Sequence, residues 1–183
     1  MHALRNVDWA LTHQTANGWF QHCCLSDTTR PLTHTIGYAL RGVVEAFKFS
    51  QQQRYLDAAL KTAEGTCRAV RSDGFLAGRL DADWKPAANW NCLTGSSQLA
   101  YCWLYLGKVT DRSELVDAAL RVNQFVRRTI RVDGSPDLQG AVKGSYPING
   151  GYRPFEYLNW ACKFMIDANL AELAFVGANR RGE

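Results

Sequence analysis

Residues 140–170 concentrate side chains that could bind a ligand. The segment begins as a glycine- and aromatic-rich loop and continues as an apolar helix from about Glu156. Aromatic rings beside cations and a carboxylate can hold a polar molecule that also has apolar faces. The sequence therefore predicts a binding site where this loop enters the helix. The side chains that would form it are Lys143, Tyr146, Tyr152, Arg153, Glu156 and Trp160.

Carboxyl groups are the second feature that could do chemistry. A pair of carboxyl groups, one protonated and one ionised, can supply a general acid and a general base. Asp83 is the first candidate for the acid, because the adjacent tryptophan ring can raise the pKa of its carboxyl group by desolvation. Glu156 is the second candidate. The alternative for Asp83 is a structural role, in which an ion pair with Lys85 fixes the loop.

His34 stands in the first turn of a predicted helix, within the sequence LTHT. A neutral imidazole at this position could act as a general base or form a hydrogen bond with a substrate. The alternative is a histidine whose ring is satisfied by Thr33, by Thr35 or by the backbone. The residues alone leave both interpretations open.

Tryptophan and cationic side chains supply further candidate binding groups. Sugars present apolar C–H faces with polar rims, and a ring beside hydrogen-bonding side chains suits such a surface. Alternatively, the rings plug the ends of helices as part of the core. Lys143 and Arg153 could bind the carboxylate of a uronate or a phosphate. The tryptophans in or beside loops that precede predicted helices are Trp19, Trp84, Trp90 and Trp160.

The pattern of apolar residues predicts six helices. Their approximate ranges are 2–14, 32–49, 54–71, 92–108, 112–131 and 156–175. The helix at 92–108 carries almost no charge before its last residue, and a helix that is neutral on most faces is buried. The helices at 54–71 and 112–131 have one apolar stripe and charged remaining faces, so we expect them on the outside. Nothing indicates a substantial sheet, but a short strand pair is possible in the loops at 75–82 or 140–152.

Parts of these helices repeat along the chain. LDAAL at 56–60 matches VDAAL at 116–120, and Asp73-Gly74 matches Asp133-Gly134 with the same offset of 60 (116 − 56 and 133 − 73). PLTHTIGYAL in the second helix aligns similarly with CLTGSSQLAY in the fourth. A period of this length made of two helices is typical of an array of helical hairpins.

The sequence thus predicts an all-α fold. Three units follow one another, each with an outer amphipathic helix and an inner helix of low charge. We expect one domain over residues 1–176 and a flexible C-terminal tail over 177–183.

The motifs NGWF, PLTHTIGYALRG, DGFLAGRLDADW and CLTGSSQLA, with the segment from Gly140, resemble the α/α-toroid proteins. These include six-hairpin glycosidases such as the unsaturated glucuronyl hydrolases, and toroids of the squalene-cyclase and prenyltransferase type. The chain resembles more closely an uncharacterised bacterial toroid group associated with polysaccharide gene clusters, over about residues 17–173. A full toroid closes with six hairpins, whereas this chain has room for three. It therefore resembles the C-terminal half of such a protein, or a natural half-toroid that forms half of an (α/α)6 barrel.

The resemblance implies that the loops leading into the inner helices line one mouth of the toroid, where a ligand binds. Asp83 or Glu156 would act there as acid or base, with His34 assisting. The expected function is that of a glycoside hydrolase or lyase acting on acidic oligosaccharides. The alternative is a non-catalytic binding or scaffold module with the same aromatic mouth. The binding residues implied at the mouth are Trp19, Trp90, Lys143, Tyr146, Tyr152, Arg153 and Trp160.

An arc of three hairpins leaves the outer flanks of its first and last hairpins uncovered, because each repeat in such an array buries itself against its neighbours. We therefore expect the chain to form a homodimer that covers these flanks.

The composition argues against several other classes of function. The net charge of +4 is modest and the basic residues are scattered, so no nucleic-acid surface is expected. The six cysteines include no CxxC pair and no zinc-like spacing with histidine, so neither a metal nor a cofactor is expected. The chain lacks a run of about 18 apolar residues, so no membrane span is expected, and a cytoplasmic location is the default. The adjacent Cys23 and Cys24 could be redox-active or bind a metal, or could be partly buried loop thiols.

Overall fold

The computed structural model describes residues 2–24 and 26–179. The helices of this part of the chain are α1 (His2–Leu11), α2 (Thr33–Ser50), α3 (Gln53–Arg68), α4 (Leu93–Thr110), α5 (Ser113–Arg128) and α6 (Asn159–Asn179). Two short antiparallel strands, β1 (Asn91–Cys92) and β2 (Ser145–Tyr146), pair with each other. The all-α prediction is confirmed, and β2 lies inside one of the two loops in which a strand could form.

The helices pair into three hairpins, α1–α2, α3–α4 and α5–α6. α4 is the centre of the fold, because it packs against α2, α3, α5 and α6. α2, α4 and α6 lie side by side as an inner layer, with α3 and α5 behind them. This arc of three hairpins is the half-toroid that the sequence predicts.

The sequence of α4 explains its central position. Because the helix is nearly free of charge, it can be buried on almost every side, and Leu99 and Trp103 are wholly inaccessible. The indole Nε1 of Trp103 donates a hydrogen bond to Thr66 Oγ1 of α3 over 3.2 Å. Gly95 lets α4 approach α2 closely, since a Cβ atom there would lie 2.5 Å from the backbone nitrogen of His34. α4 therefore supports the outer layer and also positions the start of α2.

The repeated motifs occupy equivalent places in the fold. Ala59 in LDAAL and Ala119 in VDAAL are both buried on the apolar stripes of α3 and α5. The two Asp-Gly pairs mark turns after these helices, where Gly74 and Gly134 have φ angles of 85° and 89°. Only glycine adopts such angles readily. The repeat in sequence is thus a repeat of a structural unit.

The outer helices end earlier than predicted. α1 stops at Leu11, because the chain turns there and Gln14 then pairs with Phe20 in an isolated bridge. α3 and α5 end at Arg68 and Arg128, and their last turns tighten into hydrogen bonds between residues three apart. These frayed ends separate the helices from the Asp-Gly turns by a few residues.

α6 differs from its prediction at both ends. It begins at Asn159 and not near Glu156, because the backbone between them pairs with the preceding loop: Tyr157 forms a bridge with Lys143, and the N–H of Leu158 donates to Val142 O over 2.9 Å. It continues to Asn179, so the domain boundary predicted at residue 176 falls inside the helix. The remainder of the expected tail, residues 180–183, lies outside the described residues.

Candidate functional site

The three inner helices begin at one end of the arc, where their preceding loops are joined by hydrogen bonds. The backbone N–H of Thr33 donates to Gly78 O over 3.0 Å, which ties the start of α2 to the loop before α4. β1 and β2 pair Asn91 with Tyr146, which ties the start of α4 to the loop before α6. The starts of α2, α4 and α6 are therefore neighbours, and we call this end of the arc the inner-helix mouth.

Trp90 supports the loops of this mouth. A Cβ atom at Gly78 would lie 2.1 Å from its ring, and one at Gly151 would lie 2.9 Å from it. The half-buried indole is thus wedged between two backbone segments that have no side chains at these points. This position makes Trp90 a packing residue of the mouth, with only part of its ring open to a ligand.

His34 occupies the first turn of α2 and faces an aromatic group. Its Nδ1 forms a hydrogen bond of 3.0 Å with the Oε1 of Gln98 on α4. An amide oxygen can only accept, so Nδ1 carries the proton in this pair. Nε2 has no hydrogen-bond partner among residues 2–24 and 26–179. The imidazole lies 4.7 Å from the ring of Tyr38 and 5.2 Å from that of Tyr152.

Burial determines the charge of this histidine. Burial lowers the pKa of His34 below the ordinary value of 6.5, and the hydrogen bond with Gln98 raises it only in part. The ring is therefore neutral at neutral pH, with one nitrogen fixed by Gln98. Its other nitrogen carries a lone pair that can accept a proton or a hydrogen bond.

Tyr152 connects His34 to the start of α6. The indole Nε1 of Trp160 donates a hydrogen bond to the Tyr152 hydroxyl over 3.2 Å. The loop carbonyl of Tyr152 accepts a hydrogen bond of 2.6 Å from Ser145 Oγ. Burial raises the pKa of Tyr152, so its hydroxyl keeps its proton at neutral pH. His34, Tyr152 and Trp160, which are distant in sequence, thus form one contiguous cluster.

A cation and a carboxylate lie at the rim of this cluster. The guanidinium carbon of Arg153 is 5.8 Å from the centre of the Trp160 ring. Its nitrogen is 3.7 Å from the carboxylate of Glu156, and both side chains are about half exposed. A pair this long and this exposed is weak, so Arg153 can exchange Glu156 for an anionic ligand at little cost.

Asp83 and Trp19 lie away from the cluster. The Asp83 side chain is 74% exposed and forms an ion pair with Lys85, as the structural alternative proposed. The expected desolvation by the neighbouring ring is wrong, because Trp84 turns inward and donates its Nε1 hydrogen to Asn17 O. Trp19 is only 5% exposed and packs edge-on against Trp84 at 5.3 Å. Trp19 is therefore a core residue, the alternative weighed for the tryptophans.

Lys143 and Tyr146 belong to the loop before α6 but turn toward the outer layer. The Lys143 ammonium group donates to Thr129 O over 2.5 Å, close to the end of α5. Burial lowers the pKa of Lys143, and the nearby Arg131 lowers it further. The Tyr146 ring packs edge-on against Phe125 of α5 at 5.8 Å. Neither side chain contacts His34 or Trp160, so their prediction as binding groups gains no support.

Two residues of the cluster are not foreseen by the sequence. In the sequence, Gln98 is one more neutral residue of a predicted buried helix, and Tyr38 is one more residue of the second predicted helix. Gln98 is 2% exposed, and its Nε2 group has no hydrogen-bond partner within the described part of the chain. Thr94 Oγ1, one turn earlier on α4, is likewise buried without a partner there. Buried polar atoms without a partner are uncommon in folded proteins.

The described residues contain no cluster of three histidine, cysteine or acidic side chains that could hold a metal ion. None of the helices described above is both long and apolar enough to cross a membrane.

The fold and the joined loops at its mouth define half of a six-hairpin α/α toroid, and solved structures of that fold are similar to this chain. Unsaturated glucuronyl hydrolase from Bacillus sp. GL1 matches 92% of this chain and 48% of its own, with 14% identity and a TM-score of 0.65. Cellobiose 2-epimerase from Spirochaeta thermophila matches 95% of this chain and 47% of its own, with 14% identity and a TM-score of 0.67.

An α-mannanase from Bacteroides thetaiotaomicron has the same relation, with 14% identity, a TM-score of 0.65, and coverage of 92% of this chain and 44% of its own. The chain thus spans about half the length of the solved structures that it matches. No protein-family model and no curated protein match this sequence. At this level of identity the likeness establishes the fold.

Proposed function

We propose that this chain binds an acidic carbohydrate at the inner-helix mouth and acts on it by proton abstraction, with His34 as the base. The observation that carries the proposal is the state of the His34 ring. Gln98 fixes Nδ1, Nε2 has no partner among the residues described, and burial lowers the pKa. A neutral imidazole with one nitrogen held and the other available is what a general base requires.

The groups around His34 suit a sugar acid. Tyr152 and Trp160 offer ring surfaces and polar atoms for the apolar faces and hydroxyl groups of a sugar. Arg153 adds a cation beside the Trp160 ring, and a guanidinium group is well matched to a carboxylate. The names of solved structures with this fold, a glucuronyl hydrolase and a cellobiose 2-epimerase, support a carbohydrate ligand.

The reaction that these groups can perform on a uronate is elimination. His34 Nε2 takes the proton from the carbon next to the carboxylate, and the electron pair of that C–H bond forms a C=C bond. The C–O bond to the leaving sugar breaks, and the leaving oxygen takes a proton from the Tyr152 hydroxyl. Arg153 stabilises the negative charge that develops on the carboxylate. In this scheme His34 is the base and Tyr152 the acid.

Hydrolysis by two carboxyl groups has less support from the geometry. Asp83 is exposed and paired with Lys85, on the turn beside Trp84 and away from His34. Glu156 is at the mouth, but among the described residues its one charged partner is Arg153. A glycosidase of this type needs a second carboxyl group within about 5–9.5 Å of the first. We therefore assign Glu156 to the rim and not to the reaction.

The proposal is tested by incubating the full chain with oligosaccharides of different uronic acids. The expected product has a C=C bond conjugated with a carboxylate, which is detected by its ultraviolet absorbance. His34→Gln should abolish the product without loss of sugar binding in a thermal-shift assay. His22→Gln, which changes an exposed histidine outside the cluster, should leave both unchanged. Binding without any product would reject the elimination, and no binding by any uronate would reject the site.

A non-catalytic binding or scaffold module is the second candidate function. It is favoured by the uncovered apolar face of α6, where Ile166, Leu170 and Leu173 are each more than half exposed. Such a module would bind sugar or a protein partner without turnover, and would dimerise through its flanks. For either function we propose a cytoplasmic location, which the six free thiols support, because structural disulfides are rare in that compartment.

A further inference from the structure

We propose that two copies of this chain close a six-hairpin ring, in which α6 of each copy packs against α2 of the other. The two-fold axis then coincides with the axis of the toroid. A rotation of 180° about that axis keeps every inner helix parallel, so both mouths open on the same side of the ring. The assembly follows from the helix faces alone, whatever the mouth binds.

The exposed side of α6 is the first observation, and at its edge Leu170 also lines a cavity of about 420 Å³ with Tyr101 and Tyr105 of α4. Ala161 and Ala168 are wholly buried against the core, whereas Ile166, Leu170 and Leu173 are 59%, 60% and 68% exposed. The three exposed residues are spaced by four and three positions, so they form one stripe along the helix. Large apolar residues in such a contiguous stripe mark a surface that another element covers.

The free flank of the first hairpin is the second observation. Leu4 and Val7 of α1 and Gly42, Ala46 and Phe49 of α2 line a groove of about 260 Å³. Phe49 is 80% exposed at one end of the groove. A Cβ atom at Gly42 would meet nothing within 4 Å, so the floor of the groove is open to a neighbour. Glu45 also lines the groove and is paired with Arg41 and Lys48, while the rest of the lining is apolar and suits a ridge of leucine and isoleucine.

The ridge and the groove lie at matching heights along their helices. Within one chain, α2 and α6 are in register along their lengths. Arg41 Nη1 of α2 is 3.7 Å from Asp167 Oδ2 of α6. Both residues lie eight positions beyond the first residue of their helices (41 − 33 and 167 − 159). In the same register Leu170 lies eleven positions along α6, and Gly42 lies nine along α2 (170 − 159 and 42 − 33). Because Ile166 lies seven positions along α6 (166 − 159), Gly42 of one copy comes to a height between Ile166 and Leu170 of the other.

The new contact also continues one that the fold already uses. α2 packs on α4 and α4 on α6, and the first of these contacts is close because Gly95 has no side chain. A contact of α6 with α2 of the partner subunit would be the third inner-helix contact of the same kind, with Gly42 in the role of Gly95. Since the chain spans 44% to 48% of the matched toroids, two copies supply the hairpins of one ring.

When the ring closes, each binding site would contain residues of both copies. His34 and Trp160 each lie one position beyond the first residue of their helices (34 − 33 and 160 − 159). Trp160 of the partner subunit would therefore stand at the mouth beside His34. Each ring would hold two such composite sites facing one central cavity.

The proposal is tested on the full chain by size-exclusion chromatography with light scattering. The wild type should have twice the mass of one chain over a wide range of concentration. Leu170→Glu and Gly42→Lys should each be monomeric, and circular dichroism should show that both keep their helices. Val132→Glu, which adds the same charge at an exposed apolar position outside the flanks, should stay dimeric.

Mixing the two monomeric variants distinguishes this arrangement from others. One contact of the mixed pair then has both native faces, and the other brings a glutamate against a lysine, so dimers should reappear. A symmetric contact of α6 with α6 would not be rescued, because every mixed pair would still carry a glutamate on one α6 face. A monomeric wild type, dimeric single variants, or a mixture that stays monomeric would overturn the proposal.

Discussion

Replacing Gln98 by glutamate should raise the pKa of His34 and move the charge of the ring into the neutral range. In the native protein burial lowers that pKa, and the amide of Gln98, 3.0 Å from Nδ1, offers only a neutral acceptor. An opposite charge within about 4–6 Å shifts a pKa by about 1–3 units, which corresponds to roughly 1.4–4 kcal/mol. Because position 98 is only 2% exposed, solvent screens this interaction little.

The assay is the titration of the His34 ring proton by NMR in both proteins. We expect Gln98→Glu to raise the pKa of His34 by about 1–3 units relative to the wild type. The same variant should move the pH dependence of the proposed elimination to higher pH, since the ring must lose its proton before it can act as a base. An unchanged or lower pKa for His34 in this variant would refute the reasoning, because position 98 would then present no negative charge to the ring.

Gln98→Leu is the matched control for this prediction. It removes the hydrogen bond that raises the pKa of His34, so this pKa should fall further below 6.5. The variant also leaves the Nδ1–H group of His34 without its acceptor, which should lower the free energy of unfolding by about 0.5–1.5 kcal/mol. A urea titration measures this change.

Three further outcomes are expected. The free energy of unfolding should decline as the pH falls below about 6.5. The reason is that His34 has its ordinary pKa in the unfolded chain, which therefore takes up the proton before the folded chain does. His34→Gln should remove this part of the pH dependence in urea titrations. Gly95→Ala should lower the free energy of unfolding by about 1–3 kcal/mol, because its Cβ would lie 2.5 Å from the backbone of α2. Iodoacetamide at neutral pH should label Cys24 and spare Cys102, which peptide mass spectrometry can follow. Burial raises the pKa of Cys24, but hydrogen bonds from backbone N–H groups outweigh burial and lower this pKa to about 6. Burial raises the pKa of Cys102 to about 12.

The fold was open to prediction because its signals are local and repeated. A long helix without charge, α4, can be stable only inside the protein, and its burial follows from composition alone. The matched LDAAL and VDAAL segments place equivalent alanines in equivalent contacts. Helix ends were less predictable, since the bridge between Tyr157 and Lys143 that delays the start of α6 depends on how the loop packs and not on the residue types.

The site was predictable in part, for a physical reason. The residue types before α6 indicate which side chains could bind a ligand, but the path of the loop decides which way each one turns. Lys143 and Tyr146 turn toward α5, whereas Tyr152 turns toward His34. Gln98 could not be recognised, because a neutral side chain inside a buried helix gives no signal until its partner on another helix is known.

The central claim is that the inner-helix mouth binds a sugar acid beside His34. The most direct measurement is an NMR titration of the full chain with uronate oligosaccharides. We expect saturable shifts of the Trp160 indole N–H and the His34 ring signals, while the indole of Trp9, which is exposed on α1, stays unchanged. No saturable shift with any uronate, or shifts confined to Trp9, would contradict the account.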